Sequence, residues 1–158
     1  MPWLGVDLGD ARVGLAMSDP ELSFAHPIGN IAVHGDSFQA LDEVLDIVER
    51  ERVDVVVVGL PLLLDGSEGR HAHKARRWSR NLTVRADALI RSGEWFGAGS
   101  PSVLLKDERL TTVAAHRELR GAGIREKGHR PMIDQQSAVL ILQSALDDAR
   151  RKGGQYDG

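Results

Sequence analysis

Residues 3–18, WLGVDLGDARVGLAMS, carry the reading on which the fold turns. Residues 3–8, WLGVDL, form a short apolar strand pattern that runs into Gly9. Residues 12–18, RVGLAMS, form a second, and Gly9–Asp10 is the tight connection between them. The pair predicts a hairpin. Asp7 stands inside the first apolar run at the point where it turns, an expensive place for a charge.

Outward from the hairpin, residues 23–33 mix apolar and turn residues and supply a third strand near Ile28–Val33. Asp36 can cap a helix over roughly 37–52, where Phe38, Leu41, Leu45 and Val48 fall on one stripe. VDVVVVG, residues 53–59, is β-branched and apolar on both faces, as in a central strand covered on both sides. After the loop LPLLLDGSEG, a helix fits 69–92 with Ala72, Ala75, Leu82, Ala86 and Leu89 inward. GEWFGAGSPS is a loop, SVLLK at 102–106 a buried strand, and Thr111 or Thr112 caps a helix over about 112–121. GAGIREKGHRP, 121–131, has the composition of a mobile segment. A last helix spans about 132–151, with Ile133, Leu140 or Ile141, and Ala145 inward, and 153–158 is expected to fray. The order predicts one α/β domain with a mixed sheet over residues 1–152.

The chain has 158 residues, 42% apolar and 27% charged, the size and composition of one ordinary domain. With no cysteine, disulfides, thiolate metal sites and a cysteine nucleophile are excluded, which fits a reducing, cytoplasmic setting. The first residues lack the basic start and apolar run of a signal peptide, and no apolar run reaches the ~18 residues of a membrane span. Net charge is −3, but it is unevenly spread: residues 1–67 carry 12 acids and 3 bases, and residues 68–130 carry 7 acids and 14 bases. A near-neutral total therefore hides a strong internal asymmetry, which is the useful signal.

Asp7 lies at a strand turn, Glu108 just past the end of another strand, and Asp134 at the start of the last helix. Three such carboxylates can converge at one edge of the sheet. Oxygen-only clusters suit Mg²⁺ or Mn²⁺, and two such ions about 3.5–4 Å apart can activate water and stabilise the leaving oxygen of a phosphodiester. Each acid also has a plainer role open to it. Asp7 can bond the glycine-turn backbone, Asp134 can cap its helix, and Glu108 can pair with Arg109.

The segments GVDLGDARVGLAMSD, VVVVGLPLLLDGSEG, KDERLTTVAA and IDQQSAVLIL occur in this order over about residues 3–147. They resemble the YqgF-like family, associated with Holliday junction resolution and with trimming of ribosomal RNA precursors. The resemblance implies an RNase H-like fold, a five-stranded mixed sheet flanked by helices. It implies a two-metal site in which Asp7 bridges the ions and Glu108 and Asp134 hold one each. It further implies phosphodiester hydrolysis in 5′ processing of the small-subunit (16S) ribosomal RNA precursor, with a four-way DNA junction as the alternative substrate. The turn departs from the family pattern: it reads GDAR, so Asp10 adds an acid that is either a further metal ligand or a turn residue. The basic stretch REKGHRPMID, with Arg125, Lys127 and Arg130, is looser than the family's cluster.

Residues 69–86 hold six bases and no acid. Arg70, Lys74 and Arg77 share one helix face, with Arg76 and Arg80 on an adjacent stripe. The face can neutralise phosphates or simply be solvated. The glycines of Asp65–Gly69 and the helix start can bind a phosphate through backbone N–H groups, or Ser67 or Glu68 can cap the helix. Arg12 and Arg109, near the acids, can steady a scissile phosphate or balance the negative cluster. Trp78 is a base-stacking or core residue, and Trp95 and Phe96 are the better candidates for exposed aromatics. His71 and His73 lie on different sides of a helix, a poor zinc pair.

Two rivals stand against the nuclease. One is a non-catalytic nucleic-acid-binding module in ribosome assembly, which would not need all three acids. The other is an ATP-binding fragment of the actin and sugar-kinase type, which needs two domains and a second DxG turn. Nucleic acid is the expected partner, with no membrane, and the state is monomer or homodimer.

Overall fold

The computed structural model describes residues 1–34, 36–109 and 130–156, the side chains of 130–135 and 153–156 excepted. The predicted helix over 112–121 and the segment 121–129 lie outside the described residues. The elements are β1 (Trp3–Leu8), β2 (Arg12–Ser18), β3 (Ala25–Ala32), a 3₁₀ turn (Ser37–Ala40), α1 (Leu41–Arg50), β4 (Val55–Leu60), α2 (Arg70–Arg91), β5 (Ser102–Asp107) and α3 (Arg130–Tyr156). The strands form one sheet in the order β3-β2-β1-β4-β5. β1–β2 and β2–β3 are antiparallel, and β1–β4 and β4–β5 parallel. This is the predicted five-stranded mixed sheet.

Alternation along the strands divides the core. Leu4 and Val6 of β1 and Val56 and Val58 of β4 pack with Val44 and Val48 of α1 and Ala75, Trp78 and Leu82 of α2. On the other face Ala16 and Val57 meet Ala138, Ile141, Leu142, Ala145 and Leu146 of α3. β4 is covered on both sides, as its unbroken valine run implies. Trp78 is fully buried and donates through Nε1 to the Ser37 carbonyl at 3.0 Å, so it anchors the 3₁₀ turn and does not stack on a base.

Three local differences from the sequence reading have clear causes. β3 begins at Ala25, earlier than Ile28, because an edge strand tolerates exposed His26 and Pro27. Its register slips between Leu15 and Ala16, opposite Gly29 with φ +136°, a bulge. Asp36 caps the 3₁₀ turn, accepting from Phe38 N at 2.9 Å, and α1 proper starts at Leu41.

α3 is held against the sheet by close packing and by polar ties at its edges. Gln143 accepts from Ala25 N at 2.9 Å and donates to the Ser23 carbonyl at 3.0 Å. Lys106 of β5 pairs with Asp148. In the centre, a Cβ at Gly5 would stand 2.7 Å from Leu142 Cβ and 2.8 Å from the Ala138 carbonyl oxygen. Neither neighbour can swing away, so Gly5 sets the height of α3 above the sheet. Gly5→Ala is expected to cost about 1–3 kcal/mol, a fall of roughly 3–10 °C in melting temperature. Gly99→Ala, where an added methyl meets nothing within 4 Å, should move it by no more than about 2 °C. Equal thermal melts for the two variants would contradict this packing.

Candidate active site

The α3 face of the sheet carries charge at one end. Asp7 follows Gly5 on that face, lies opposite Gly14 of β2, and is 1% exposed. The β1–β4 register ends at Val6↔Val58, so the next step sets Asp7 beside Gly59. Glu108 follows directly on β5 and is 2% exposed. Its carboxylate folds back over Gly59, where a Cβ would stand 2.6 Å from Oε2 and 2.6 Å from Ile141 Cδ1. Neighbouring strands are about 4.8 Å apart, so two buried carboxylates share one patch of sheet with glycines on both sides of Asp7. The burial of Glu108 removes the option of an ordinary surface ion pair.

Position 134 lies on α3, four residues before Ala138 and seven before Ile141. That spacing puts it on the stripe that packs on the sheet. Its side chain is outside the described residues. Arg12 starts β2, two residues from Gly14 and so on the same face as Asp7. Its Nη1 is buried and has no hydrogen-bond partner among the described residues.

Arg109 is held elsewhere than expected. It grips Asp107 with three contacts, Nε–Oδ1 at 3.2 Å, Nε–Oδ2 at 3.1 Å and Nη2–Oδ2 at 2.8 Å, while its backbone N–H donates to Asp107 Oδ1 at 3.0 Å. Its Nη1 reaches the Leu64 carbonyl at 3.5 Å and lies against Gly66. The residue therefore fastens the turn that carries Glu108 to the loop after β4. Within that loop Ser67 donates to Asp65 Oδ1 from both N (2.9 Å) and Oγ (2.6 Å), and Gly66 takes φ +90°. Neither Ser67 nor Glu68 caps α2. The cap is Gly69, with no side-chain bond, and Glu68 instead pairs with Arg76 at 2.7 Å.

The basic face exists, but it finds acids from other elements. Asp10 meets Lys74 at 3.4 Å and Asp42 meets Arg85 at 3.2 Å. Arg70 and Arg77 are exposed with no ion pair among the described residues, and the Arg77 guanidinium stands 5.6 Å from the Phe38 ring centroid. Burial opposes ionisation of Asp10, yet Lys74, His71 and Arg70 together hold its carboxyl below the usual range. Trp95 is half-buried and donates to the Ala98 carbonyl at 2.6 Å, leaving Phe96, 80% exposed, as the exposed aromatic of its loop. No group of three metal-ligating side chains forms among the described residues, His71 and His73 included. No helix among them is long and apolar enough to cross a membrane.

Sequence reasoning missed the glycines that make room for the acids. The signal was present: Gly59 ends a valine run and Gly14 interrupts β2. It also missed Asp107, whose carboxyl is held below its usual 3.8 chiefly by the Arg109 hydrogen bonds. A lowered pKa stabilises the fold above the unfolded value and loses that contribution as pH falls through the folded one. Asp107→Asn should thus lower the melting temperature slightly at pH 7, by about 1–4 °C for a partly exposed pair. The gap should close below about pH 3.8. A gap that persists in acid would contradict the clamp.

Comparison with known proteins places the chain in a family and a fold. The RuvX family model, described as Holliday junction resolvase, matches residues 1–148. A Bifidobacterium adolescentis protein named "Putative pre-16S rRNA nuclease" is 62% identical over 150 residues, 95% of this chain and 99% of its own length. A protein of the same name from Mycobacterium sp. (strain KMS) is 42% identical over 147 residues, 93% of this chain and 80% of its own. Among solved structures, T. thermophilus RuvC in complex with Holliday junction substrate has a TM-score of 0.55 at 18% identity, covering 97% of this chain and 96% of that one. That likeness shows a shared RNase H-like fold. With a family model spanning nearly the whole chain and relatives this similar, the chain belongs to the RuvX family.

Proposed function

We propose that the chain is a metal-dependent endonuclease that hydrolyses phosphodiester bonds in the 5′ region of the small-subunit (16S) ribosomal RNA precursor in the cytoplasm. The observation that carries this reading is the pair of buried carboxylates at one end of the sheet, Asp7 on β1 and Glu108 just past β5, the latter folded over Gly59 of β4. Burying one charge is expensive, and burying two of like sign together is more so. A hard divalent cation is the group such a pair suits, and the missing Cβ at Gly59 leaves the Glu108 carboxylate the room it takes. Asp7, Glu108 and Asp134 would hold Mg²⁺ or Mn²⁺, as a two-ion site.

The bound ions supply Lewis-acid activation of water and charge neutralisation at the scissile phosphate. The protein's own residues do the rest. Asp7 and Glu108 are fixed by strand register and by the Arg109–Asp107 clamp, so their oxygens need little reorganisation. Arg12, with a buried donor and no partner among the described residues, can take a non-bridging phosphate oxygen. Arg70, Lys74 and Arg77 draw the backbone of the substrate across the sheet end. Arg109 serves the phosphate less directly, by holding the Glu108 turn.

A four-way DNA junction is the second substrate, favoured by the description of the family model. Symmetric cutting there would need two sites and so a dimer. A non-catalytic module of ribosome assembly would not need two buried acids in contact with one patch of sheet.

Wild type, Asp7→Asn and Glu108→Gln should each be incubated with a structured ribosomal RNA precursor and with a four-way DNA junction, in Mg²⁺, Mn²⁺ or EDTA. Wild type should cut the RNA in metal and not in EDTA, and each variant should lose at least about 100-fold in kcat. Cutting in EDTA, or by Asp7→Asn at the wild-type rate, would overturn the reading. Preference for the junction would move the substrate to DNA.

A further inference from the structure

Lys74 is the partly buried cation among the described residues of the basic face, its side chain 19% exposed. An ammonium with three donors needs acceptors to replace its lost water. Among the described residues its one partner is Asp10, at 3.4 Å, well beyond the roughly 2.8 Å of a good charged hydrogen bond. Asp10 itself is 72% exposed on the β1–β2 turn, where water competes for it. A cleft of about 400 Å³ opens over this pair, lined by Arg70, His71 and Arg77 of α2, by Phe38 of the 3₁₀ turn and by Asp36, which caps that turn. That is the volume of a small-ligand site. Two of its exposed cations, Arg70 and Arg77, have no ion pair among the described residues, and Phe38 lends it an aromatic wall beneath Arg77. The cleft combines a half-satisfied cation, two with no ion pair among the described residues, and a ring in a space too small for a duplex.

We propose that this cleft is a subsite for one unpaired nucleotide on a single-stranded flank of the substrate, with Asp10 as the resting occupant that a phosphate displaces from Lys74. Lys74 and Arg70 take the phosphate, and the base lies against Phe38 and Arg77, since every base offers a face for stacking. Asp10 is three residues beyond Asp7, at most about 10 Å of chain, so one strand can reach both the cleft and the carboxylates. The proposal rests on the nuclease reading for the identity of the substrate, but the binding it predicts is measured without cleavage.

The test uses the full chain in EDTA, with a fluorescently labelled short single-stranded oligoribonucleotide and a blunt duplex of the same sequence, over a range of salt. Lys74→Gln and Arg77→Gln should each weaken single-strand binding about three- to tenfold, and Lys74→Gln should reduce the salt slope by about 0.7. Asp10→Asn should tighten it about two- to fivefold, the gain from removing a partly exposed competitor. A variant that fails to fold cannot produce that gain. Arg85→Gln, whose side chain pairs with Asp42 away from the cleft, should bind as wild type does. Unchanged or weaker binding by Asp10→Asn overturns the proposal, as does unchanged binding by Lys74→Gln. So does an equal loss on the blunt duplex, which would make the contact a general backbone one. If this binding pattern holds while no substrate is cut in metal, the nuclease reading fails and the subsite stands. If cutting holds and the pattern does not, the subsite fails alone.

Discussion

Two buried carboxylates at one end of the sheet are the constraint around which the rest of this molecule is arranged. Asp7 and Glu108 are 1% and 2% exposed, and neither helps to hold an apolar core together. The fold accommodates them by geometry. A hairpin and a parallel crossover bring the ends of β1, β4 and β5 to one edge, where β1 has Gly14 on one side and Gly59 on the other. Glycine stands directly opposite Asp7 on β2 and under the Glu108 carboxylate on β4. The edge that carries the acids is held by β4, which is packed on both faces.

The position of α3 follows from the same logic. Gly5 lets the helix approach the sheet closely, with Leu142 and Ala138 over β1 and Ile141 over Gly59. The helix therefore closes the carboxylate site from above and brings position 134 onto its sheet-facing stripe. The Arg109–Asp107 clamp fixes the site from the side by tying the Glu108 turn to the loop after β4. On the opposite face, α2 presents its cations and the cleft at the same end of the sheet. The buried acids and the cations of α2 are thus separated by one thickness of sheet and joined by the short β1–β2 turn.

Much of this was legible in the sequence because it depends on local pattern. The valine run of β4 could be a central strand and little else, and the alanine and leucine spacing of α2 fixed which face it buries. The acids stood out because Asp7 interrupts an apolar strand. Long-range pairing was not legible. Nothing in the local sequence says that Arg109 prefers Asp107, that Lys74 finds Asp10 across 64 positions, or that Glu68 serves Arg76 instead of capping α2. The early start of β3 was hidden because an edge strand with a bulge at Gly29 lacks clean alternation. Trp78 was ambiguous because a helical tryptophan among arginines suits either a core or a base, and only the packing of α2 on the 3₁₀ turn decides for the core.

The central claim is that the paired carboxylates form a cation site. Thermal unfolding of wild type and Asp7→Asn under a titration of Mg²⁺ or Mn²⁺, with no nucleic acid present, tests it most directly. A ligand that binds the folded state alone adds about 2.7 kcal/mol at a hundredfold excess over its dissociation constant, roughly 5–10 °C for a chain of this size. The account predicts that rise for wild type and its loss in Asp7→Asn. An equal rise in both proteins, or none in wild type, would contradict it.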